Sequence, residues 1–197
     1  MSRRLRVIKL GGSLFDWPLL GERLPAWLAQ QTAGTGVLVT GGGGMADALR
    51  ACDRMHRFSP DFIHRMAVRT MSISAELVRE LLPAASLVSS LNEVHALGDD
   101  ALCIFCVEDF MAQDRLRRDA LPEDWSVTSD SISARLASAL EADELVLLKS
   151  ALPPPAADLG DLAAHGYVDA FFPSAAAGLR VRCVNLRADG FAEARLP

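Results

Sequence analysis

The sequence predicts an α/β fold in which a mostly parallel sheet is covered by helices on both faces. Two observations predict it. Short β-branched or aliphatic runs alternate along the chain with longer segments whose apolar residues recur at helical spacing. The first two apolar runs also end in glycine-rich loops, and parallel sheets bind ligands in loops at the carboxyl ends of their strands. A length of 197 residues suits one sizeable domain, so a single domain over residues 1–197 is expected.

Six runs are predicted as strands because they are short, apolar and bounded by turn residues. They cover Leu5–Leu10, Gly36–Thr40, Ala85–Ser89, Leu102–Val107, Glu144–Leu148 and Arg180–Asn185. Four longer stretches have apolar residues three and four positions apart and are predicted as helices. They cover Pro18–Gln31, Met45–Arg57, Pro60–Leu82 and Ser129–Glu141. The proline-rich run Leu152–Ala156 is a stiff connector after the fifth strand, and it marks a candidate subdomain seam at residues 151–156.

The composition excludes several classes of function. Apolar residues make up 50% of the chain and charged residues 23%, which is typical of a globular protein. The formal net charge is −5 and the basic residues are scattered, so no stripe could neutralise a run of nucleic-acid phosphates. No apolar run approaches the roughly 20 residues of a membrane helix. We therefore expect a cytoplasmic protein with neither a membrane nor a nucleic acid as partner.

The four cysteines do not form an obvious metal site. Only Cys103 and Cys106 have the two-residue gap seen in metal and redox sites. They lie in a predicted strand, where a separation of three residues puts the two thiols on opposite faces. We interpret them as buried structural thiols, with a metal or redox pair as the less favoured alternative.

Lysine is rare in this sequence. Of the 20 basic residues only Lys9 and Lys149 are lysine, and both stand at predicted strand ends. Codon bias would explain the scarcity by itself. Because lysine is otherwise avoided, however, these two positions are candidates for binding an anion at the ligand edge of the sheet.

Two glycine loops follow the first two strands. The first is Lys9-Leu-Gly11-Gly12-Ser13, and the second is Gly41–Gly44 before a predicted helix. Backbone without Cβ atoms can turn sharply and present its N–H groups to an anion, and the helix dipole favours negative charge at the second loop. Tight turns that bind nothing are the alternative. Gly41, Gly43 and Ala46 also fit a relaxed dinucleotide-binding pattern, but the acid expected about twenty residues later would be Asp61, which lies between helical stretches rather than at a strand end.

Asp130 and Lys149 belong to one helix–strand unit. A hydroxyl cluster that includes Thr128 and Ser129 precedes the helix, and either residue is a candidate N-cap. Two lysines that converge on a phosphate would repel one another, and a carboxylate between them would keep both charged. Asp130 is the candidate for that role. Asp130 as a simple first-turn helix acid and Lys149 as a solvated loop residue are the alternatives.

Together these motifs resemble the ordered motifs of the amino acid kinase superfamily, over residues 5–150. The resemblance implies a three-layer αβα sandwich in which Lys9 contacts the transferred phosphoryl group and Asp130 organises the lysines. It assigns Gly11, Gly12 and Ser13 to the nucleotide phosphates, and Gly41, Gly42, Gly43 and Gly44 to the acceptor. The superfamily commonly carries its second lysine later, after a glycine-methionine segment that this sequence lacks. We interpret Lys149 as its replacement and place Ser150 with the nucleotide.

Within the superfamily the sequence resembles small kinases of methanofuran biosynthesis, which convert an aminomethylfuranmethyl phosphate to its diphosphate. The short length and the segments 62–67, 125–131 and 147–150 carry this likeness. It implies ATP with Mg²⁺, no metal site formed by the protein, a small phosphorylated substrate and a homo-oligomer, dimeric or higher. His64 and Arg65, with Arg69 on the same helix face, are candidates for the acceptor, as are Thr128 and Ser129. A nicotinamide-dependent oxidoreductase and a non-catalytic nucleotide-binding relative are the alternatives.

Overall fold

The computed structural model describes residues 4–155 and 157–196. Its seven strands form one sheet, and six of them match the predicted runs. In chain order they are β1 (Leu5–Leu10), β2 (Thr35–Thr40), β3 (Ser86–Val88), β4 (Leu102–Phe105), β5 (Glu144–Lys149), β6 (Val181–Asn185) and β7 (Glu193–Arg195). Their order across the sheet is β3-β4-β2-β1-β5-β6-β7. Neighbouring strands are parallel except β6 and β7, so the mostly parallel sheet is confirmed.

Eight helices connect and cover the strands in the described part of the chain. They are α1 (Leu20–Leu28), α2 (Gly43–His56), α3 (Pro60–Leu81), α4 (Leu91–Ala96), α5 (Glu108–Asp114), α6 (Ser129–Ala139), α7 (Leu159–Ala164) and α8 (Phe172–Ala175). A single 3-10 turn at Gly12–Leu14 follows β1. Within the described ranges, no helix is both long and apolar enough to cross a membrane.

The predicted elements are confirmed with shifted ends. α1 begins two residues after the predicted start and ends three residues before the predicted end. The start is shifted because the amides of Trp17 and Leu20 make turn hydrogen bonds before the helix begins. The predicted strand Leu102–Val107 ends at Phe105, since Val107 is already the N-cap of α5. The sequence pattern did not predict β7 and the four short helices α4, α5, α7 and α8. Ala156, the end of the predicted connector, lies outside the described residues. The strands β6 and β7, which follow the connector, belong to the same sheet as β1–β5.

The core has two halves, one on each face of the sheet. Val7 packs with the buried face of α6. Ile8 and Leu10 of the same strand pack with α1 on the other face. Because side chains alternate along a strand, Lys9 shares the face of Val7 and α6. The result is a three-layer arrangement of helices, sheet and helices, as predicted.

The chain leaves β1 for β2 on one side and later returns to place β5 on the other side of β1. This reversal creates a topological switch point between β1 and β5. In open α/β sheets, ligands bind in the crevice outside the carboxyl ends of the strands at such a point. The fold therefore directs attention to the ends of β1, β2 and β5.

Candidate active site

Lys9, Asp130 and Lys149 meet at the carboxyl ends of β1 and β5. In the ladder between these strands Lys9 is paired with Leu147, so Lys149 lies two residues further on and on the same face. Asp130, in the first turn of α6, lies between them. Its Oδ1 is 2.8 Å from Nζ of Lys9, and its Oδ2 accepts a hydrogen bond of 2.9 Å from Nζ of Lys149. One carboxylate therefore contacts both ammonium groups.

The three groups are almost fully removed from water. The exposed fraction of the side chain is 5% for Lys9, 7% for Asp130 and 14% for Lys149. Burial opposes ionisation of Asp130, but the charges of Lys9 and Lys149 outweigh it and lower its pKa to about 2. Burial lowers the pKa of Lys9, Lys149 lowers it further, and Asp130 opposes both effects. Asp130 is thus ionised and favours the charged form of Lys9.

Lys149 has fewer free donors than Lys9. Its Nζ also donates a hydrogen bond of 2.5 Å to the carbonyl oxygen of Tyr167, whose ring centroid lies 4.8 Å from the ammonium group. An ammonium group has three N–H donors, so Lys149 has one left for a ligand. The contact between Lys9 and Oδ1 of Asp130 lacks hydrogen-bond geometry and is an ion-pair contact. Lys9 therefore keeps more of its N–H donors for a ligand than Lys149 does.

The N-terminus of α6 is held by a residue that the sequence analysis missed. Thr128 occupies the N-cap position, but neither its side chain nor that of Ser129 caps the helix. Instead, Oδ2 of Asp169 accepts hydrogen bonds from the backbone amides of Thr128 and Ser131, at 2.9 and 3.0 Å. The hydroxyls of Thr128 and Ser131 also donate to this carboxylate. Asp169 thereby fixes the turn of helix that carries Asp130.

The two glycine loops touch each other across the end of the sheet. A Cβ atom on Gly12 would lie 2.6 Å from the amide nitrogen of Gly43, and one on Gly41 would lie 2.7 Å from the amide nitrogen of Gly12. Gly43 also has a φ of 55°, in the left-handed region. The amides of Gly11 and Gly41 donate to strand carbonyls, whereas among the described residues no carbonyl accepts from those of Gly12, Ser13 or Gly43. These amides are free to bind an anion.

A cavity of about 580 Å³ opens above the ion cluster. Its wall contains most of the residues that the sequence predicts for the site. They are Lys9, Gly12, Ser13, Gly41, Gly42, Gly43, Gly44, His64, Thr128, Ser129, Asp130 and Lys149. Gly11 lies beneath it, where its amide donates to the carbonyl of Leu148 at 2.8 Å. Ser150 does not line the cavity, but its hydroxyl lies 3.4 Å from that of Ser13, which does.

The structure separates His64 from Arg65. His64 is buried, and its Nδ1 lies 3.2 Å from the carbonyl oxygen of Asp124. A carbonyl only accepts, so Nδ1 carries the proton, and Nε2 is a buried acceptor without a partner among the described residues. Burial lowers the pKa of His64 and favours the neutral ring. Arg65 does not line the 580 Å³ cavity and pairs with Asp61 at 2.6 Å, while Arg69 pairs with Glu108 at 3.0 Å.

Arg50 is a second wall residue that the sequence analysis did not single out. Its guanidinium lies 4.6 Å from the ring centroid of Trp125, and it pairs with Asp47 at 3.0 Å. The indole N–H of Trp125 donates to Asp53 at 2.8 Å. α2 has two arginines, Arg50 and Arg54, and their spacing does not single out either one, so only the folded structure shows that Arg50 faces the cavity.

No group of three or more histidine, cysteine or acidic residues in the described part of the chain could hold a metal ion. Asp130 is engaged with lysines, and Asp169 with the helix N-terminus. This donor set fits a divalent ion carried by nucleotide phosphates, since Mg²⁺ commonly keeps several waters and needs few protein ligands.

Residues 4–151 match the family model described as the amino acid kinase family. A curated relative, the [5-(aminomethyl)furan-3-yl]methyl phosphate kinase of Methanocaldococcus jannaschii, is 23% identical over 144 residues. That match covers 73% of this chain and 64% of the relative, so the chain spans less than two thirds of the relative's length.

Three solved structures share the fold. The UMP kinase of Bacillus anthracis matches with a TM-score of 0.66 at 12% identity, covering 100% of both chains. The uridylate kinase of Archaeoglobus fulgidus has a TM-score of 0.60 at 15% identity, covering 89% of this chain and 88% of the other. The UMP kinase of Ureaplasma parvum has a TM-score of 0.60 at 14% identity, with coverages of 96% and 93%.

Proposed function

Because the chain belongs to the amino acid kinase family, we propose that it transfers the γ-phosphoryl group of ATP to a small phosphorylated metabolite. The observation that carries this proposal is the cluster of Lys9, Asp130 and Lys149 on the floor of the 580 Å³ cavity. Phosphoryl transfer demands alignment of the reactants and compensation of the charge on the transferred group. Two oriented ammonium groups at the edge of a parallel sheet suit both demands.

In the proposed reaction an acceptor oxygen forms a bond to the γ-phosphorus, the bond to the β–γ bridging oxygen breaks, and ADP leaves. Lys9 and Lys149 lie close enough to one carboxylate to act on the same phosphoryl group. Their charges offset the negative charge of the equatorial oxygens in a site that excludes water, where electrostatic interactions are strongest. Asp130 maintains their charge in the absence of substrate and orients them.

The glycine loops supply the remaining donors. We assign Gly12, Ser13 and Ser150 to the nucleotide phosphates and the segment 41–44 to the acceptor phosphate, while Gly11, whose amide donates to Leu148, shapes the first loop rather than supplying a donor. The close approach of Gly12 to Gly43 supports this division, because the two loops would bring donor and acceptor phosphates side by side. A Mg²⁺ ion bound to ATP would neutralise part of the charge on the nucleotide phosphates.

The acceptor is proposed to carry its own phosphate. A phosphate monoester is largely ionised near neutral pH, so its oxygen attacks without a general base. This fits the cavity, since Asp130 is paired and His64 uses Nδ1 to donate to a carbonyl. Arg50 and the first amides of α2 could meet the acceptor phosphate. We infer aminomethylfuranmethyl phosphate, converted to its diphosphate, as the specific substrate, which the relative in M. jannaschii supports.

Membership of this family and the ion cluster both argue against the nicotinamide alternative. Hydride transfer has no use for two lysines on one carboxylate. Asp61, the acid expected for a dinucleotide ribose, is engaged by Arg65. A non-catalytic nucleotide-binding relative is the alternative that an activity assay must test.

We further propose that the chain forms a homo-oligomer. Ile73 and Leu77 on α3, together with Leu87 on the edge strand β3, are large apolar side chains that are between 38% and 51% exposed. Contiguous exposed apolar residues commonly mark a protein–protein interface. Light scattering should give a molar mass of at least twice 21.2 kDa, and Leu77→Glu should reduce it.

The test of function is ADP release from ATP with Mg²⁺, measured against a panel of phosphate monoesters that includes aminomethylfuranmethyl phosphate. We expect ADP only with an accepted monoester, and ³¹P NMR should show a new diphosphate product. Lys9→Met and Lys149→Met should each lower kcat by roughly 10²–10³. Arg118→Gln, an exposed change outside the cavity, should leave it unchanged. Turnover that survives Lys9→Met would show that the activity does not come from this site.

A further inference from the structure

A second cavity lies at the opposite end of the sheet, where β1, β5 and β6 begin. Its volume is about 500 Å³, and it shares no wall residue with the 580 Å³ cavity. The charged and aromatic side chains in its wall come from α1, from the strand starts and from β7. They include Arg4, Arg6, Trp27, Glu144, Arg182 and Arg195. The proposed kinase reaction leaves this cavity without a role.

The cavity is basic although the protein as a whole is acidic. Four arginines line it against two glutamates, Glu144 and Glu193, whereas the whole chain has a net charge of −5. Arg182 uses both acids. Its Nε and Nη2 lie 3.1 Å from the two carboxylate oxygens of Glu144, and its Nη1 lies 2.6 Å from Glu193. The other arginines are left with little negative charge to pair with.

Arg195 and Arg4 have unfilled donors. Arg195 lies directly opposite Arg182 in the β6–β7 ladder and is exposed, and its side chain has no hydrogen-bond or ion-pair partner within the described residues. Like charges in opposite positions of a ladder disfavour pairing of the strands. The side chain of Arg4 is 50% exposed; its Nη1 donates to the hydroxyl of Thr32 at 3.3 Å, and its Nη2 is 4.0 Å from a carboxylate oxygen of Glu144. An anion between these guanidinium groups would relieve both defects.

Two buried donors lie in the same wall. Arg6 is engaged within the protein: its Nη2 donates to the carbonyl and the hydroxyl of Thr32 at 2.6 Å each and to the carbonyl of Ala33 at 3.2 Å, and the distance from its Nε to Glu144 is 3.8 Å. Burial lowers the pKa of Arg6, and the charge of Arg4 adds to this. Trp27 is 1% exposed, and its indole N–H is buried without a partner among the described residues. A buried N–H donor normally has an acceptor, so the indole N–H of Trp27 is the unfilled donor of the two.

We propose that this cavity binds a compact oxyanion that carries at least two negative charges, of the diphosphate class. The unfilled groups described above, on Arg4, Arg195 and Trp27, are N–H donors, and the two arginines are cationic. Guanidinium groups match the oxygens of a phosphate in pairs, and such charge-assisted hydrogen bonds are the strong ones. The volume of about 500 Å³ lies within the range of small-molecule sites, so the diphosphate is either free or part of a nucleotide.

Trp27 provides a reporter within the site. The chain has three tryptophans, and Trp17→Phe with Trp125→Phe leaves Trp27 as the single one. Titration of this protein with pyrophosphate at constant ionic strength should change the Trp27 emission with a saturable curve. Adding Arg195→Gln should weaken binding by about tenfold or more, because one charge-assisted contact is lost. Arg118→Gln removes an exposed arginine outside the cavity and should change nothing.

Two further arms complete the experiment. Arg195→Lys, which keeps the charge, should retain most of the affinity, and far-UV circular dichroism should show that each variant is folded. Tighter binding of ADP than of pyrophosphate would assign the anion to a nucleotide, and equal binding would assign it to a free diphosphate. An absent response, an equal response to chloride at matched ionic strength, or unchanged affinity in Arg195→Gln would overturn the proposal.

Discussion

Replacing Asp130 with asparagine removes the only negative charge that contacts the two buried ammonium groups in the described structure. The carboxyl has a pKa of about 2 against an ordinary value of 3.8, which corresponds to about 2 kcal/mol of stability at neutral pH. Breaking a buried ion pair by removing one partner costs roughly 3–5 kcal/mol, because the other charge stays buried. We therefore expect Asp130→Asn to lose about 3 kcal/mol, which lowers Tm by roughly 6–12 °C for a domain of this size.

The same change should affect catalysis through Lys9. Asp130 is the main group that opposes the effect of burial on Lys9, with a smaller contribution from Asp169, so removal of Asp130 lowers the pKa of Lys9 further. As the pH rises, the activity of Asp130→Asn should therefore be lost at a lower pH than the activity of the unmodified protein. At neutral pH we expect kcat to be lower by about 10²–10³.

Urea unfolding and steady-state ADP release measure the two effects separately. Asp119→Asn is a matched control, because Asp119 also lies between two cations, Arg117 and Arg135 at 3.0 and 3.1 Å, but on the surface. We expect little change there. In the double variant Lys9→Met/Asp130→Asn, part of the lost stability should return, since methionine occupies the space without a charge. The ion cluster would be refuted if the stability losses of Lys9→Met and Asp130→Asn simply added in the double variant, or if Asp130→Asn were as stable as the original protein.

Three further predictions follow from the same geometry. Gly12→Ala puts a Cβ 2.6 Å from the amide nitrogen of Gly43 and should lower kcat/KM by about 10²-fold, whereas Gly98→Ala, an exposed change outside the cavity with nothing within 4 Å of its Cβ, should keep full activity in the same ADP assay. Asp169→Ala should cost about 1–3 kcal/mol in urea unfolding, because it leaves the first amides of α6 unpaired; stability equal to that of the original would contradict its capping role. Because the pKa of Asp130 is lower in the folded state, its contribution to stability is complete above about pH 4 and should be lost as the pH falls toward 2; acid unfolding of Asp130→Asn should lack this component.

The sheet could be predicted because its strands differ sharply from their surroundings. β1, β2 and β5 are nearly continuous apolar runs, as expected of parallel strands that are buried on both faces. The missed strand β7 is Glu-Ala-Arg, which has no apolar pattern and forms only because β6 offers a free edge. α4 had a readable signal in Ser90 and Glu93, which form a capping box, but at six residues it was too short for a periodicity argument.

The location of Lys9, Asp130 and Lys149 follows from strand ends and a helix start, which sequence patterns indicate well. Asp169 and Tyr167 could not be found in this way, because they lie in a turn between two short helices and act through tertiary contacts alone. One indirect signal existed. α6 begins with Thr128 but has Ser131 where a capping box needs glutamate or glutamine, so its first amides required an acceptor from elsewhere. Arg65 shows the converse, since sharing a helix face with Arg69 did not bring it into the cavity.

The pair of lysines is a consequence of strand adjacency. β1 and β5 are hydrogen-bonded neighbours although they are far apart in sequence, and neighbouring strands lie about 4.8 Å apart. A lysine near the carboxyl end of each strand, on the same face, therefore brings two ammonium groups together regardless of the intervening sequence. Because like charges repel in a buried site, a carboxylate must accompany them, and α6, which leads into β5, places its first turn at that edge. The fold thus constrains the point where the charges meet rather than the sequence position of the second lysine, and this supports our proposal that Lys149 takes the place of a second lysine that the superfamily commonly carries later in the chain.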